Sequence, residues 1–235
     1  MRRLVLLSLL ALGSLALAAS PALAAGGKRK PTHGGGTTTW QVTVENLTPP
    51  GAGAPGSQPL SPPLVVVHAP WADVWSVGDY ASRGVAAIAQ DADNAVLETI
   101  LPGTRGVRSV ETVAGGPIPS GASRTFTVET HGLARRLSLV SMLVNTNDGF
   151  TGLDSLPLHG PHTVLTVRAY DAGAEKNNQL ATSIPGPCCG HPFVGDPEIA
   201  PIAPHPGIVD GVGDLTSALF GWAEPVARIT IDRVG

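Results

Sequence analysis

The chain has 235 residues, of which 14% are charged and 4% aromatic, with 29 Gly and 22 Pro. Its 15 Lys and Arg against 18 Asp and Glu give a formal charge of −3, which argues against nucleic acid as the partner, because phosphate recognition needs concentrated positive charge. The two cysteines, Cys188 and Cys189, are neighbours, and this excludes a framework of disulfides.

The N-terminus opens with Arg2 and Arg3, followed by an apolar run from Leu4 to about Ala19 and then Pro21-Ala22-Leu23-Ala24. Positive, apolar and small-x-small parts in that order predict a secretory signal peptide cleaved after Ala24. The run is shorter than the roughly 20 residues a spanning helix needs, and no later stretch is apolar enough to cross a bilayer. The expectation is therefore export, to the medium, the periplasm or the cell surface. Loss of Arg2 and Arg3 makes the remaining chain more acidic. Three parts are predicted: the signal peptide (1–24), a disordered lead-in (25–37) and one domain (38–235). Lys28-Arg29-Lys30, the one basic cluster, falls in the lead-in and reads as a solvated tail.

Trp40, Val42 and Val44 alternate with Gln41, Thr43 and Glu45, the period of a half-buried strand. Residues 49–63 are rich in Pro, Gly and Ser and form a loop. Leu64-Val65-Val66-Val67-His68 is a continuous apolar run, which suits a strand covered on both faces. Over 82–100 the period changes. Val85, Ile88 and Ala89 share a helical face, Ser82 is placed as N-cap, and Asp91-Ala92-Asp93-Asn94 interrupts, so one or two short helices are predicted. Further strands are expected at 109–113, 124–129, 136–144, 163–170 and 227–234. Asp171 to Glu224 is the longest irregular stretch, and loops of that length are commonly functional or mobile. Many short strands between Gly/Pro turns predict an all-β sandwich with long loops.

Two segments carry the chemistry. Asn145-Thr146-Asn147-Asp148-Gly149-Phe150-Thr151-Gly152 follows the most apolar strand and places several oxygen donors in an end loop. Tyr170-Asp171-Ala172-Gly173-Ala174-Glu175 follows another strong strand. If both strands end at the same edge, Asp148, Asp171 and Glu175 converge. Clustered carboxylates repel one another unless protons or a cation neutralise them, and Ca²⁺ is the hard cation that suits carboxylate and carbonyl oxygens. The spacing is not that of an EF-hand. Asp91 and Asp93 read as residues of a helix end. Asp154 reads as a structural turn residue.

Motifs for catalysis are missing. There is no Gly-x-Ser-x-Gly and no His-Glu-x-x-His. His159 and His162 stand three apart, but Gly160-Pro161 between them prevents a helix. His191 and His205 read as solvated loop residues. Trp71 and Trp75 read as packing over the helices rather than as sugar platforms. Asn46-Leu47-Thr48 matches a glycosylation sequon, but the signal peptide and the Gly/Ala/Arg-rich composition look bacterial, so it is discounted. For Cys188-Cys189 a vicinal disulfide, free thiols and a bond to another chain all stay open. A soft-metal site at Cys188-Cys189-Gly190-His191 is disfavoured, because structural zinc uses Cys-x₂₋₄-Cys spacing. The expectation is a binding protein and not an enzyme; the alternatives are a structural exported domain that uses Ca²⁺ only as a staple and, less favoured, a metal-dependent hydrolase.

From Trp40 to about Val234 the chain resembles the spondin N-terminal domain family, a module of F-spondin and mindin that also occurs alone in bacterial secreted proteins. The resemblance is carried by Trp40-Gln41-Val42-Thr43-Val44-Glu45-Asn46-Leu47, Gln90-Asp91-Ala92-Asp93-Asn94, Asn147-Asp148-Gly149-Phe150-Thr151-Gly152-Leu153-Asp154, Asp171-Ala172-Gly173-Ala174-Glu175 and Pro225-Val226-Ala227-Arg228-Ile229-Thr230-Ile231. It implies a C2-like antiparallel β-sandwich with a Ca²⁺ site, in which Asp148, Asp171 and Glu175 match the family's ligands, and a role in adhesion to an extracellular protein or glycan. Two departures stand out. Glu175 replaces an Asp of the animal proteins, and their additional cysteines and modules are absent, so their receptor roles do not transfer.

Overall fold

Strand β1 (Thr38–Asn46) buries Trp40, Val42 and Val44 on one face, as the alternation requires. The computed structural model describes residues 36–51 and 56–235, so the expected signal peptide and most of the lead-in lie outside the described residues. The remaining strands and α-helices are β2 (Leu64–His68), α1 (Arg83–Asp91), α2 (Ala95–Ile100), β3 (Val107–Thr112), β4 (Ser123–Thr130), β5 (Arg136–Met142), β6 (Gly149–Pro157), β7 (His162–Val167), β8 (Ala169–Asp171), β9 (Ala203–Pro204), α3 (Ser217–Phe220) and β10 (Ala227–Arg233), with a short 3-10 turn at Ala181–Ser183. They form two antiparallel sheets, one in the order β4-β1-β10-β7 and the other β3-β2-β5-β6-β8-β9. This is the all-β sandwich the sequence predicts.

The main core lies between the sheets. Trp40, Val42, Val44, Ile229 and Ile231 of the smaller sheet meet Val65, Val67, Leu137, Leu139 and Leu153 of the larger. The opposite face of the larger sheet would be exposed apolar surface were it not covered by the helical insert. Leu64, Val66, Val140 and Phe150 pack there against Val85, Ile88, Ala89, Leu97 and Trp75. Strand β2 is thereby buried at every residue, which explains its unbroken apolar run. Each such side chain contributes about 1.5–3 kcal/mol on burial. Ser82 caps α1, its side chain accepting from Val85 N–H, and Ala92 ends the helix in the left-handed region at φ 56°. Trp75 meets the edge of Phe150 and tilts against Tyr170, both with ring centroids 5.0 Å away. Trp71 is 57% exposed.

Two elements differ from the sequence expectation. The segment expected as one strand over 163–170 divides at Arg168: β7 pairs with β10 in the smaller sheet, and β8 pairs with β6 in the larger. The chain changes sheets here, held by Glu224, whose carboxylate accepts from Ala169 N–H at 3.1 and 3.2 Å, and by Thr151, whose hydroxyl donates to the Arg168 carbonyl at 2.8 Å. Residues 149–152, read as loop, begin β6. Asp154 accordingly sits within a strand rather than in a turn, accepting from the Ser76 hydroxyl at 3.0 Å.

The sequon at Asn46 has no room for a glycan in this fold. Its Nδ2 donates to the carbonyls of Gln58 at 2.8 Å and Ile118 at 2.9 Å, and its Oδ1 accepts from Thr48 N–H at 3.0 Å and the Thr48 hydroxyl at 2.7 Å. Among the described residues no helix is long and apolar enough to cross a membrane.

Candidate functional site

The β5–β6 turn is built by its own polar side chains. The Thr146 hydroxyl donates to the Leu143 carbonyl at 2.6 Å and accepts from Gly149 N–H at 2.8 Å, bending the chain back into β6. This places Asp148 immediately before the residue that pairs with Asp171, because Gly149 and Asp171 are partners in the β6–β8 ladder. From Asp171 the chain turns sharply: its Oδ1 accepts from Gly173 N–H at 2.6 Å, and Gly173 adopts φ 66°, a conformation open to glycine at no steric cost. That turn brings the backbone of residues 174 and 175 over Asp148, whose Oδ2 accepts from Ala174 N–H at 2.7 Å and Glu175 N–H at 2.9 Å. Asp148, Asp171 and Glu175 therefore lie in one cluster, as the two sequence segments suggest.

The oxygens are not equivalent. Both carboxylate oxygens of Asp171 are engaged, Oδ1 by Gly173 and Oδ2 by the side chain of Asn177. On Glu175, Oε1 accepts from Gln90 Nε2 at 3.0 Å, at the end of α1. Asp148 Oδ1 and Glu175 Oε2 are buried with no hydrogen-bond partner, and so is His205 Nε2. Buried polar atoms are paired in the great majority of cases, so unpaired oxygens on two neighbouring carboxylates need a physical reason.

The electrostatics match this geometry. The Asp148 carboxyl is pushed up to about 7, first by burial, then by the charge of Asp171, with Glu198 adding to it and the two backbone N–H groups opposing. The Glu175 carboxyl is also raised to about 7, by burial and then by Asp148, with the Gln90 side chain opposing, Asp91 adding and the Asn147 side chain opposing. Lys176, the nearest cation in sequence, is directed elsewhere, its Nζ lying 3.0 Å from Asp196. The pair therefore shares a deficit of positive charge, which a proton or a hard cation relieves. Among the described residues, no three His, Cys, Asp or Glu side chains are arranged as a ready metal cage. The carboxylate oxygens here that could take up a cation are the unpaired ones of Asp148 and Glu175, while both oxygens of Asp171 are tied to the loop.

Several neighbours carry no clear mark in the sequence. His205, expected to be solvated, is buried at 7% exposure. Its Nδ1 accepts from Gly207 N–H at 2.9 Å, so the ring proton sits on Nε2, and burial lowers its pKa to about 4 against the opposing charge of Asp171. With Nδ1 accepting and the proton on Nε2, the neutral ring offers no lone pair to a cation. Asn147 holds the loop from the other side, its Oδ1 accepting from Gln179 N–H at 3.1 Å and its Nδ2 donating to Asn178 Oδ1 at 3.1 Å. Residues 196–200 run back along 173–176 through Lys176 N–H to Asp196 O, Glu198 N–H to Ala174 O and Ala200 N–H to Gly173 O, all at 2.9 Å. Asp91 lies at the edge of the cluster and accepts from Phe193 N–H at 2.7 Å, while Asp93 Oδ1 accepts from Ala95 N–H at 3.0 Å in the turn that leads into α2. His159 and His162 serve local contacts, His162 with Asp232 at 2.6 Å.

No protein-family model matches the chain, and no curated protein matches it significantly.

Proposed function

We propose that this chain is an exported Ca²⁺-binding β-sandwich module of the spondin N-terminal type, which binds an extracellular protein or glycan through the loops that the cation orders. The observation that carries this reading is the pair of buried, unpartnered oxygens Asp148 Oδ1 and Glu175 Oε2 on carboxyls that repel each other. These two oxygens would hold the cation, with water and backbone carbonyls completing the shell, as Ca²⁺ sites commonly do. The cation supplies the positive charge the cluster lacks. The sequence resemblance supports the same assignment, and the signal-peptide pattern supports export.

The role proposed for the cation is mainly a staple. Asp148 is fully buried and Glu175 nearly so, which favours an enclosed ion over one presented to a ligand. Stapling Glu175 to Asp148 fixes the ribbon of residues 173–176 and 196–200. The exposed side chains beside that ribbon, Tyr80, Phe193, Val194 and Ile199, are then held for contact with a partner, as exposed apolar groups at a binding surface often are.

A thermal melt in EGTA followed by Ca²⁺ titration tests the site. At 100-fold excess over Kd, binding stabilises the fold by about 2.7 kcal/mol, or a rise of roughly 5–10 °C for a domain of this size. The rise should saturate and should vanish in Asp148→Asn and Glu175→Gln. A wild-type melt that ignores Ca²⁺ removes the metal from this reading.

A further inference from the structure

The same long segment carries a second chemistry. Cys188 and Cys189 are joined to each other by a disulfide. Because they are neighbours, the bond cross-links no separate parts of the chain. The loop it closes is as short as one can be, so it removes little freedom from the unfolded chain, which is the usual source of a disulfide's stabilisation. Its use must be sought in reactivity or in local shape.

Access and placement both point to reactivity. Cys188 is exposed and Cys189 partly so, and Cys189 rests against the small apolar cluster of Ile184, Ile208 and Leu215. The pair sits on a tight turn, with Cys189 N–H and Gly190 N–H both donating to the Gly186 carbonyl at 3.1 and 3.0 Å. The base of that turn is seated on the β5–β6 turn. A Cβ on Gly186 would overlap the Val144 carbonyl and Asn145 Oδ1, and Cys188 N–H donates to Asn145 Oδ1 at 3.3 Å. Asn145 is otherwise fixed, its N–H donating to Gln58 Oε1 at 3.0 Å and its Nδ2 to the Ser57 carbonyl at 2.8 Å. It is the first residue of the Asn145–Asp148 turn.

We propose that Cys188–Cys189 is a thiol–disulfide exchange site, and that opening it loosens the Asn145–Asp148 turn on which it is seated. The co-reactant is a dithiol. One of its thiolates attacks Cys188 Sγ, breaking the Sγ–Sγ bond, forming a mixed disulfide and releasing Cys189 Sγ, which takes a proton. The second thiolate of the dithiol then attacks its own sulfur in the mixed disulfide and releases Cys188 Sγ, which also takes a proton. The protein gains two electrons and two protons, and the dithiol becomes an internal disulfide. With the sulfurs no longer tied together, the dihedrals of residues 188 and 189 are released and the Cys188 N–H contact to Asn145 weakens. None of this depends on whether the turn holds a cation.

The test uses the full purified chain in EGTA, with dithiothreitol as the dithiol. Iodoacetamide labelling followed by mass measurement should add no groups before reduction and two after it, under native conditions. Hydrogen exchange of peptides covering residues 143–149 and 184–191 should quicken several-fold on reduction, while peptides of β1 and β10 stay unchanged. The double variant Cys188→Ser, Cys189→Ser should exchange like the reduced protein and ignore dithiothreitol. Two labels before reduction, resistance of the native bond to dithiothreitol, or unchanged exchange over 143–149 in the reduced wild type would each overturn the proposal.

Discussion

Gly195 lies directly against the carboxylate of Glu175, so closely that a Cβ on residue 195 would overlap its oxygens. The backbone at Gly195 is not in the left-handed region, so glycine is required here for space and not for conformation. Gly195→Ala should displace the Glu175 side chain, whose free end can move, while leaving the backbone in place. The expected result is a loss of Ca²⁺ affinity on the order of tenfold, equivalent to about 1.4 kcal/mol, with a melt in EGTA close to the wild type. Calorimetric titration beside the EGTA melt checks it: unchanged affinity would mean that Glu175 is not a ligand.

The pH dependence of the metal-free protein has a defined sign. Asp148 and Glu175 keep their protons up to about pH 7 when folded but lose them near pH 4 when unfolded. Between about pH 4 and 7 the folded state holds more protons, so stability falls as pH rises. His205 acts oppositely, since its folded pKa is about 4 against about 6.5 unfolded, and its contribution grows between those values. The fall is therefore expected to be clearest around neutral pH, above the range in which His205 opposes it. Urea midpoints in EGTA from pH 5 to 8 should show it, and Asp148→Asn should flatten it. A wild-type stability that climbs around neutral pH contradicts the assignment.

Asn46 joins β1 to two loops with every hydrogen-bonding atom of its side chain in use. Asn46→Ala strands the buried Thr48 N–H, at about 1–3 kcal/mol, and removes one of the bonds to the Gln58 and Ile118 carbonyls and the Thr48 hydroxyl, which keep Thr48 Oγ1, Leu60 N–H and Ser120 Oγ as partners. A total loss of about 2–4 kcal/mol in chemical denaturation is expected. A loss below about 1 kcal/mol would show that water replaces the side chain.

Phe150 is completely buried between Trp75 and Tyr170. Phe150→Ala should cost about 3–5 kcal/mol, as large-to-small aromatic changes in cores do. The Trp75 fluorescence should shift as its neighbour is removed. A loss under 1 kcal/mol would mean the helical insert collapses onto the gap.

The strands that alternate, and the one covered on both faces, were legible because burial leaves a direct pattern of side chains. The β6 start was not. Asn-Asp-Gly reads as turn chemistry, and Gly152 weakens a strand pattern, yet its missing side chain is what the structure uses: a Cβ there would overlap the Leu139 carbonyl. The division at Arg168 was hidden for another reason. Side chains keep alternating through 163–170 while the backbone leaves one sheet for the other. At the site, acidic residues at strand ends were visible in sequence. Gly195 and His205 were not, because their positions depend on how an aperiodic Pro-rich segment folds back over 173–176.

The position of β10 has a consequence for how the molecule is made. It lies between β1 and β7 in the smaller sheet, so the sheet joins the earliest and latest parts of the domain. During synthesis β1 and β7 emerge with no strand to bridge them, and the inward faces of Trp40, Val42 and Val44 have nothing to close against on that side. Contacts so distant along the chain form late and slowly. A chain that ends before residue 227 should therefore be a substrate for holdase chaperones and proteases, and docking of the last strand should mark the moment at which the domain becomes protected.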